Sequence, residues 1–275
     1  MTGNRMAHPL LLSLANLHMD TRMKASNNSF ILLALLPCPK FLHPVKKMRG
    51  PLENRVIHHC LDIVCAPLKV TAKKGEMMSD PLGQLRMCHT PLAVYIADTP
   101  EAAMLAGVAG KTSHLTVASY KQFGDSFRHE PRIGSTTLAQ IDVLTKAVDP
   151  WDLEEYHKVA LNKFRLNVIH LPFWRNWLLS DPSHFFCIDA LHHLHKAFYD
   201  HEARWCIMYL GDMEINFRYS VIQPRKGFQH FSEGIAGIKQ ATGREHRDIQ
   251  QSLVAVIAEA TDHRFIIAIC ALMDF

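Results

Sequence analysis

Three places in the chain set acidic or basic side chains where local structure decides their chemistry. Asp98 ends the apolar run Leu92–Ala97 (LAVYIA) and opens Asp98-Thr99-Pro100-Glu101. A carboxylate at the end of a buried strand sits on a rigid element, where it can offer hard oxygens to Mg²⁺ or accept hydrogen bonds from a helix terminus. The residues alone favour the helix cap, since Pro and Glu in the first turn complete a helix start. The two roles can coexist on one carboxylate. Asp189-Ala190-Leu191-His192 sets an acid and an imidazole three residues apart. On a helix they share a face and can hydrogen-bond or meet one phosphate, with Lys196 on that side too. The plainer alternative has Asp189 capping the helix and the histidines in ordinary contacts. Glu245 closes Thr242-Gly243-Arg244-Glu245 ahead of an apolar helix, the pattern of a capping box. A metal cluster of His192, His193, His195 and His201 is disfavoured. His193 faces away from the others on a helix, and no Cys or acidic ligand set is near.

Apolar patterning predicts the elements that position these groups. His8–Leu17 and Ser29–Pro37 flank the polar stretch Met19–Asn28 and predict a β-hairpin buried on both faces. A basic linker, Lys40–Gly50, precedes a helix with Pro51 at its first position and Val56, Cys60, Ile63, Val64 and Leu68 on one face. Pro67 kinks or ends it near Ala66, and Lys73-Lys74-Gly75 fits a C-terminal end. Leu92–Ala97 is the best single strand. Residues 107–135 read as loop, and helices are expected over 136–148, 151–164, 189–210, 245–260 and 264–273. Pro172, Phe173, Trp174, Trp177 and Pro182 mark an irregular packed stretch between them.

A length of 275 residues with 48% hydrophobic content allows one large or two modest cores, and 20% charged residues argue against general disorder. The net charge of +4 is unevenly spread: residues 1–75 hold eleven Lys/Arg against three Asp/Glu, a balance of +8 that leaves −4 for the rest. A basic first third can set one face against phosphate; a solvated helix face and a Lys-rich linker explain it equally well. The seven cysteines form no CxxC pair and suit reduced thiols of a cytosolic or nuclear protein. Phe30–Pro37 and Phe265–Met273 fall far short of the ~20 residues of a membrane helix. The first residues lack a signal-peptide pattern, so a soluble intracellular protein is expected.

Met1–Leu17, Met77–Pro100, Asp189–Cys206, Gly227–Gln240, Thr242–Gln250 and Ala268–Phe275 together, in collinear order, resemble Plavaka transposases, fungal relatives of the KDZ and CACTA transposons. The resemblance implies an α/β fold: an incomplete RNase H-like core, its first strand missing, with a large, mainly helical C-terminal part. The implied domains are a partial core over 1–106, a loop-rich and helical insertion over 107–188, and a helical part over 189–275. It further implies a DDE enzyme, in which three carboxylates hold two Mg²⁺ or Mn²⁺ ions for in-line phosphoryl transfer on DNA. On that reading Asp98 is the second acid and Glu245 the third, both metal ligands, with Glu214 and Glu233 as alternates. Asp189 and His192 form the D-x-x-H signature. The first acid is expected ahead of Met1, which leaves the chain by itself catalytically dead, without productively bound metal, and prone to instability and aggregation through a lost central strand. The alternative is a non-catalytic DNA- or protein-binding module derived from a transposase. DNA of transposon ends is the implied partner and the nucleus the implied location. Relatives often carry a CPxC-like zinc knuckle where this chain has Lys111–Thr116, so no structural zinc is expected there.

Overall fold

The computed structural model describes residues 6–189, 191–239 and 241–274, apart from the side chains of 188 and 191–193. The chain divides into two compact units, Met1–Cys187 and Ile188–Phe275.

The first unit opens with the expected hairpin. Strands β1 (Ala7–Leu12) and β2 (Ile31–Pro37) pair antiparallel, Leu10 opposite Ala34 and Leu12 opposite Ile31, with a bulge between Leu10 and Leu11. The connection holds a short helix, α1 (Met19–Arg22), and turns back through Asn28 at φ 46°, a left-handed conformation that Asn tolerates better than most residues. Burial corrects the expectation. Leu36 is buried, but Leu11, Ile31, Leu32 and Leu35 are all more than half exposed. An unbroken apolar run identifies a strand without saying what covers each face. Among the described residues β1 and β2 pair only with each other, so their outer edges carry unpaired backbone groups beside apolar side chains. Leu35→Lys on this surface is expected to reduce light scattering on concentration while moving the unfolding midpoint little, by about 0.5 kcal/mol or less. Unchanged scattering would show that this face does not drive association.

Helix α2 (Arg49–Val64) starts two residues before Pro51 and gives way at Cys65 to α3 (Ala66–Lys74). Pro67 fits the first turn of α3, where its missing N–H costs nothing. Asp62 of α2 binds Lys69 of α3, and its Oδ2 accepts from Arg175 Nη2 at 2.6 Å. Burial pushes the Asp62 carboxyl up, and the hydrogen bonds from Lys69 and Arg175 more than reverse this. A second hairpin, β3 (Glu76–Ser79) with β4 (Leu85–Cys88), was not expected from the sequence. Its turn is built by Asp80, whose Oδ1 accepts from the amides of Leu82 and Gln84 at 2.9 Å, and by Gly83 at φ 81°.

The expected strand Leu92–Ala97 is shorter than its apolar run: only β5 (Tyr95–Ala97) pairs, and it leads into α4 (Thr99–Ala106). Helices α5 (Gly134–Ala147), α6 (Leu153–Phe164) and α7 (Pro182–Phe185) follow, and β6 (Phe186–Ile188) pairs with β5. The fold is mixed α/β, and its described strands form three two-stranded sheets. Leu61, Leu105, Leu144, Tyr156, Leu166, Phe173 and Phe185, each at most 1% exposed, are the centre of the core. Asp181 joins two helix starts: Oδ1 accepts from Ser183 N in α7 and Oδ2 from Gly134 N, the first residue of α5 and 47 positions away, both at 2.9 Å.

In the second unit, π-helical turns at Leu191–Lys196 and Tyr199–Ala203 precede α8 (Arg204–Leu210). The single long α-helix expected over 189–210 is therefore mostly π-helical over 191–203 and continuously α-helical only from Arg204 onward. Gly211 at φ 82° separates α8 from α9 (Asp212–Ser220), and α10 (Gly243–Ile257) and α11 (His263–Asp274) complete the unit. Its core gathers Tyr199, Ile207, Ile215, Tyr219, Ile249, Leu253 and Ile257. Tyr199 and Tyr219 are buried with their hydroxyls satisfied, donating to the carbonyls of Ile235 at 3.0 Å and Ile249 at 3.2 Å. The seven cysteines form no disulfide among the described residues, and burial pushes Cys65 up to about 11 and Cys206 to about 12. Among the described residues no helix is long and apolar enough to cross a membrane.

Candidate functional site

Asp98 stands at the junction of β5 and α4, in the first unit. Its Oδ1 accepts the Glu101 amide at 2.8 Å and its carbonyl accepts Ala102 N at 2.8 Å, so it is the N-cap of α4. The far end of α4 is held just as firmly. A helix end leaves its last carbonyls without intrahelical donors. Here the Met104 carbonyl accepts from Asn167 Nδ2 at 3.0 Å and His58 Nε2 at 3.3 Å, and the Leu105 carbonyl from Trp174 Nε1 at 2.8 Å. Gly107, at φ 83°, then turns the chain away. Asp98 is thus carried on a helix pinned at both ends, while its side chain stays partly exposed.

Glu101 is the neighbour that the sequence reading treated only as part of a helix start. Its carboxyl is held above the usual range, first by partial desolvation and second by the negative charge of Asp98. Tyr95, packed between Phe173 and Phe186, brings its hydroxyl to 3.5 Å from Glu101 Oε1. Two carboxylates therefore sit at the start of α4, Asp98 as its cap and Glu101 in its first turn. Carboxylate oxygens are hard donors of the kind a divalent cation takes.

Glu245 lies in the second unit and forms the capping box its spacing predicted. Its Oε2 accepts from Thr242 N at 2.7 Å and Thr242 Oγ1 at 2.9 Å, and its own amide donates to Thr242 Oγ1 at 3.3 Å. Three residues on, Asp248 is 3% exposed, accepts Gln229 N at 2.8 Å, and faces Arg244 and Arg247; the sequence reading passed over it. Of the alternates, Glu214 accepts from Arg218 Nε at 2.6 Å along α9, and Glu233 is exposed in a turn.

Asp189 precedes the π-helical segment, outside regular helix and partly exposed, so the shared-face argument for a D-x-x-H pair on one α-helix does not hold for it. The side chain of His192, like that of His193, lies outside the described residues. His195 Nδ1 donates to Gln250 Oε1 at 2.7 Å, and the His201 ring lies tilted against Trp205 with centroids 6.2 Å apart. Among the described residues no group of three His, Cys, Asp or Glu could hold a metal ion. Where relatives are expected to carry a zinc knuckle, Arg132, 6% exposed, braces the loop instead, its Nε donating to the carbonyls of Ser113 and Thr116 at 3.1 Å.

A sequence model of the family described as Plavaka transposase matches residues 1–206. No curated protein and no solved structure matches the chain.

Proposed function

Because the chain belongs to the Plavaka transposase family, we propose that it is the catalytic region of a DDE transposase on an RNase H-like core, acting on DNA in the nucleus, with Asp98 as one of its metal-binding acids. The observation that carries this reading is the family match, which includes Asp98 on the pinned β5–α4 junction. Asp98 would hold Mg²⁺ or Mn²⁺, with Glu101 beside it, and Glu245, Asp189 and His192 are the further site residues proposed from the sequence. When bound, such ions activate a nucleophile and stabilise charge in phosphoryl transfer. Capping uses Asp98 Oδ1, and a carboxylate with about four lone-pair sites can cap and ligate at once.

Asp98→Asn separates the two roles, because Asn caps a helix about as well as Asp but is a poorer ligand for a hard cation. The variant is expected to keep the wild-type unfolding midpoint while losing the bound-Mn²⁺ signal in electron paramagnetic resonance by about tenfold in affinity. Equal Mn²⁺ binding by both proteins would remove Asp98 from the metal site. DNA binding is expected to weaken steeply with added salt, as phosphate contacts require.

One observation favours a second reading, a non-catalytic DNA-binding module derived from a transposase: Asp98 and Glu245 both already serve as helix caps. On that reading the chain binds DNA but leaves it uncut with either Mg²⁺ or Mn²⁺. Strand cleavage abolished by Asp98→Asn would exclude it.

A further inference from the structure

The first unit contains an arginine ringed by aromatic side chains that neither reading uses. Arg55 of α2 donates through Nε to the Val168 carbonyl at 3.0 Å. Its other two nitrogens, Nη1 and Nη2, are shielded from solvent and have no hydrogen-bond partner. The guanidinium carbon lies 5.4 Å from the centre of the Trp151 ring and 5.6 Å from that of Tyr156. His170 completes the surround, its ring 5.8 Å from Trp151 and 6.5 Å from Tyr156, and its Nδ1 is also buried without a partner.

A guanidinium taken out of water needs an acceptor set to offset the lost hydration, and aromatic faces supply only part of it. The charges around it do not close the balance. Asp149 acts on Arg55 electrostatically, but its Oδ1 already accepts the Trp151 amide at 2.9 Å. Arg175, whose charge reaches His170, is taken up by Asp62. Two guanidinium nitrogens and one imidazole nitrogen, gathered around the same Trp151 and Tyr156 rings, are therefore buried with nothing to bind. A tetrahedral oxyanion matches the open arginine fork, which takes two oxygens at once, and His170 Nδ1 adds a third donor in the tautomer that carries its proton there. Trp151 forms one wall and is itself 71% exposed, so it can swing to admit a ligand and offers a face for a base to stack on.

We propose that Arg55, His170 and Trp151 form a binding site for a phosphate group. The site does not rest on the transposase reading: it could hold inorganic phosphate or a phosphate of a single-stranded DNA segment, and the experiment separates these sources.

The full chain is titrated with inorganic phosphate and, separately, with a short single-stranded oligonucleotide at the same ionic strength, by calorimetry and tryptophan fluorescence. Phosphate is expected to bind saturably and to weaken at least about tenfold in Arg55→Lys, which keeps the charge but loses the fork. Should Arg55→Lys fold poorly, Trp151→Phe tests the same site from an exposed position, and its loss of the phosphate-dependent fluorescence change is the expected result. Tighter binding of the oligonucleotide, weakened in both variants, assigns the phosphate to DNA. Binding of inorganic phosphate alone assigns it to the free ion. No saturable binding of either ligand, or equal affinity in wild type and Arg55→Lys, overturns the site and leaves the unpaired nitrogens to internal water. DNA binding that survives unchanged in Arg55→Lys would overturn this assignment while leaving the transposase reading intact.

Discussion

Replacing Trp174 with Ala is expected to cost more stability than any other single change considered, about 4–8 kcal/mol. Truncating a buried Trp removes about 3–5 kcal/mol through lost burial and the cavity left behind. Trp174 is 2% exposed, so the full effect applies. The Leu105 carbonyl that accepts its Nε1 would also lose its donor, adding about 1–3 kcal/mol. Against the ~5–15 kcal/mol that holds a domain folded, that sum can unfold the first unit outright. The companion Trp174→Phe keeps most of the packing and deletes the donor, so it isolates the hydrogen bond at about 1–3 kcal/mol. Urea unfolding followed by near-ultraviolet circular dichroism measures both. A phenylalanine variant as stable as wild type would show that the bond to α4 contributes nothing.

The second large effect is a loss of stability on mild acidification, traced to His58. This ring is 1% exposed, accepts Phe173 N at Nδ1 at 3.0 Å, and donates from Nε2 to the Met104 carbonyl. Those partners require the neutral ring. Burial lowers its pKa to about 4 from the usual 6.5, and the bond to Met104 only partly opposes this. The unfolded chain takes up a proton near 6.5 while the folded chain resists until about 4. Stability from this group is therefore fully present above 6.5 and is lost as pH falls towards 4, by about 3 kcal/mol in total. His170, also lowered to about 4 by burial with Arg55 and Arg175 nearby, adds in the same direction. Urea unfolding from pH 7 to pH 4 should show this fall, and His58→Gln, which cannot titrate, should flatten it. An equally steep fall in that variant would assign the effect elsewhere.

Local signals in the sequence were read well. Thr242 and Glu245 form the box their spacing specifies, Asp98 caps α4, and Gly75 at φ 75° ends α3, because each outcome depends on residues within one turn. The β1–β2 pairing was legible for the same reason, but its exposure was not, since cover comes from distant chain. The β3–β4 hairpin carried a usable sign in Asp80-Pro81-Leu82-Gly83, but its strands are only four residues each and alternate too briefly to register. The π-helical turns before α8 escaped because apolar spacing cannot distinguish them from ordinary helix over so few residues. The cluster around Arg55 was invisible in principle: its main-chain partner Val168 is 113 positions away, and no local pattern links the two.

The shared carboxylate of Asp181 makes the beginnings of α5 and α7 a single event. Burial alone would raise this carboxyl, but the Ser183 hydroxyl and the amides of Gly134 and Ser183 bring it below the ordinary range. One proton on that carboxyl would loosen both helix starts together. The long excursion between residues 134 and 181, which carries much of the core, is thus tied at both ends to one acid.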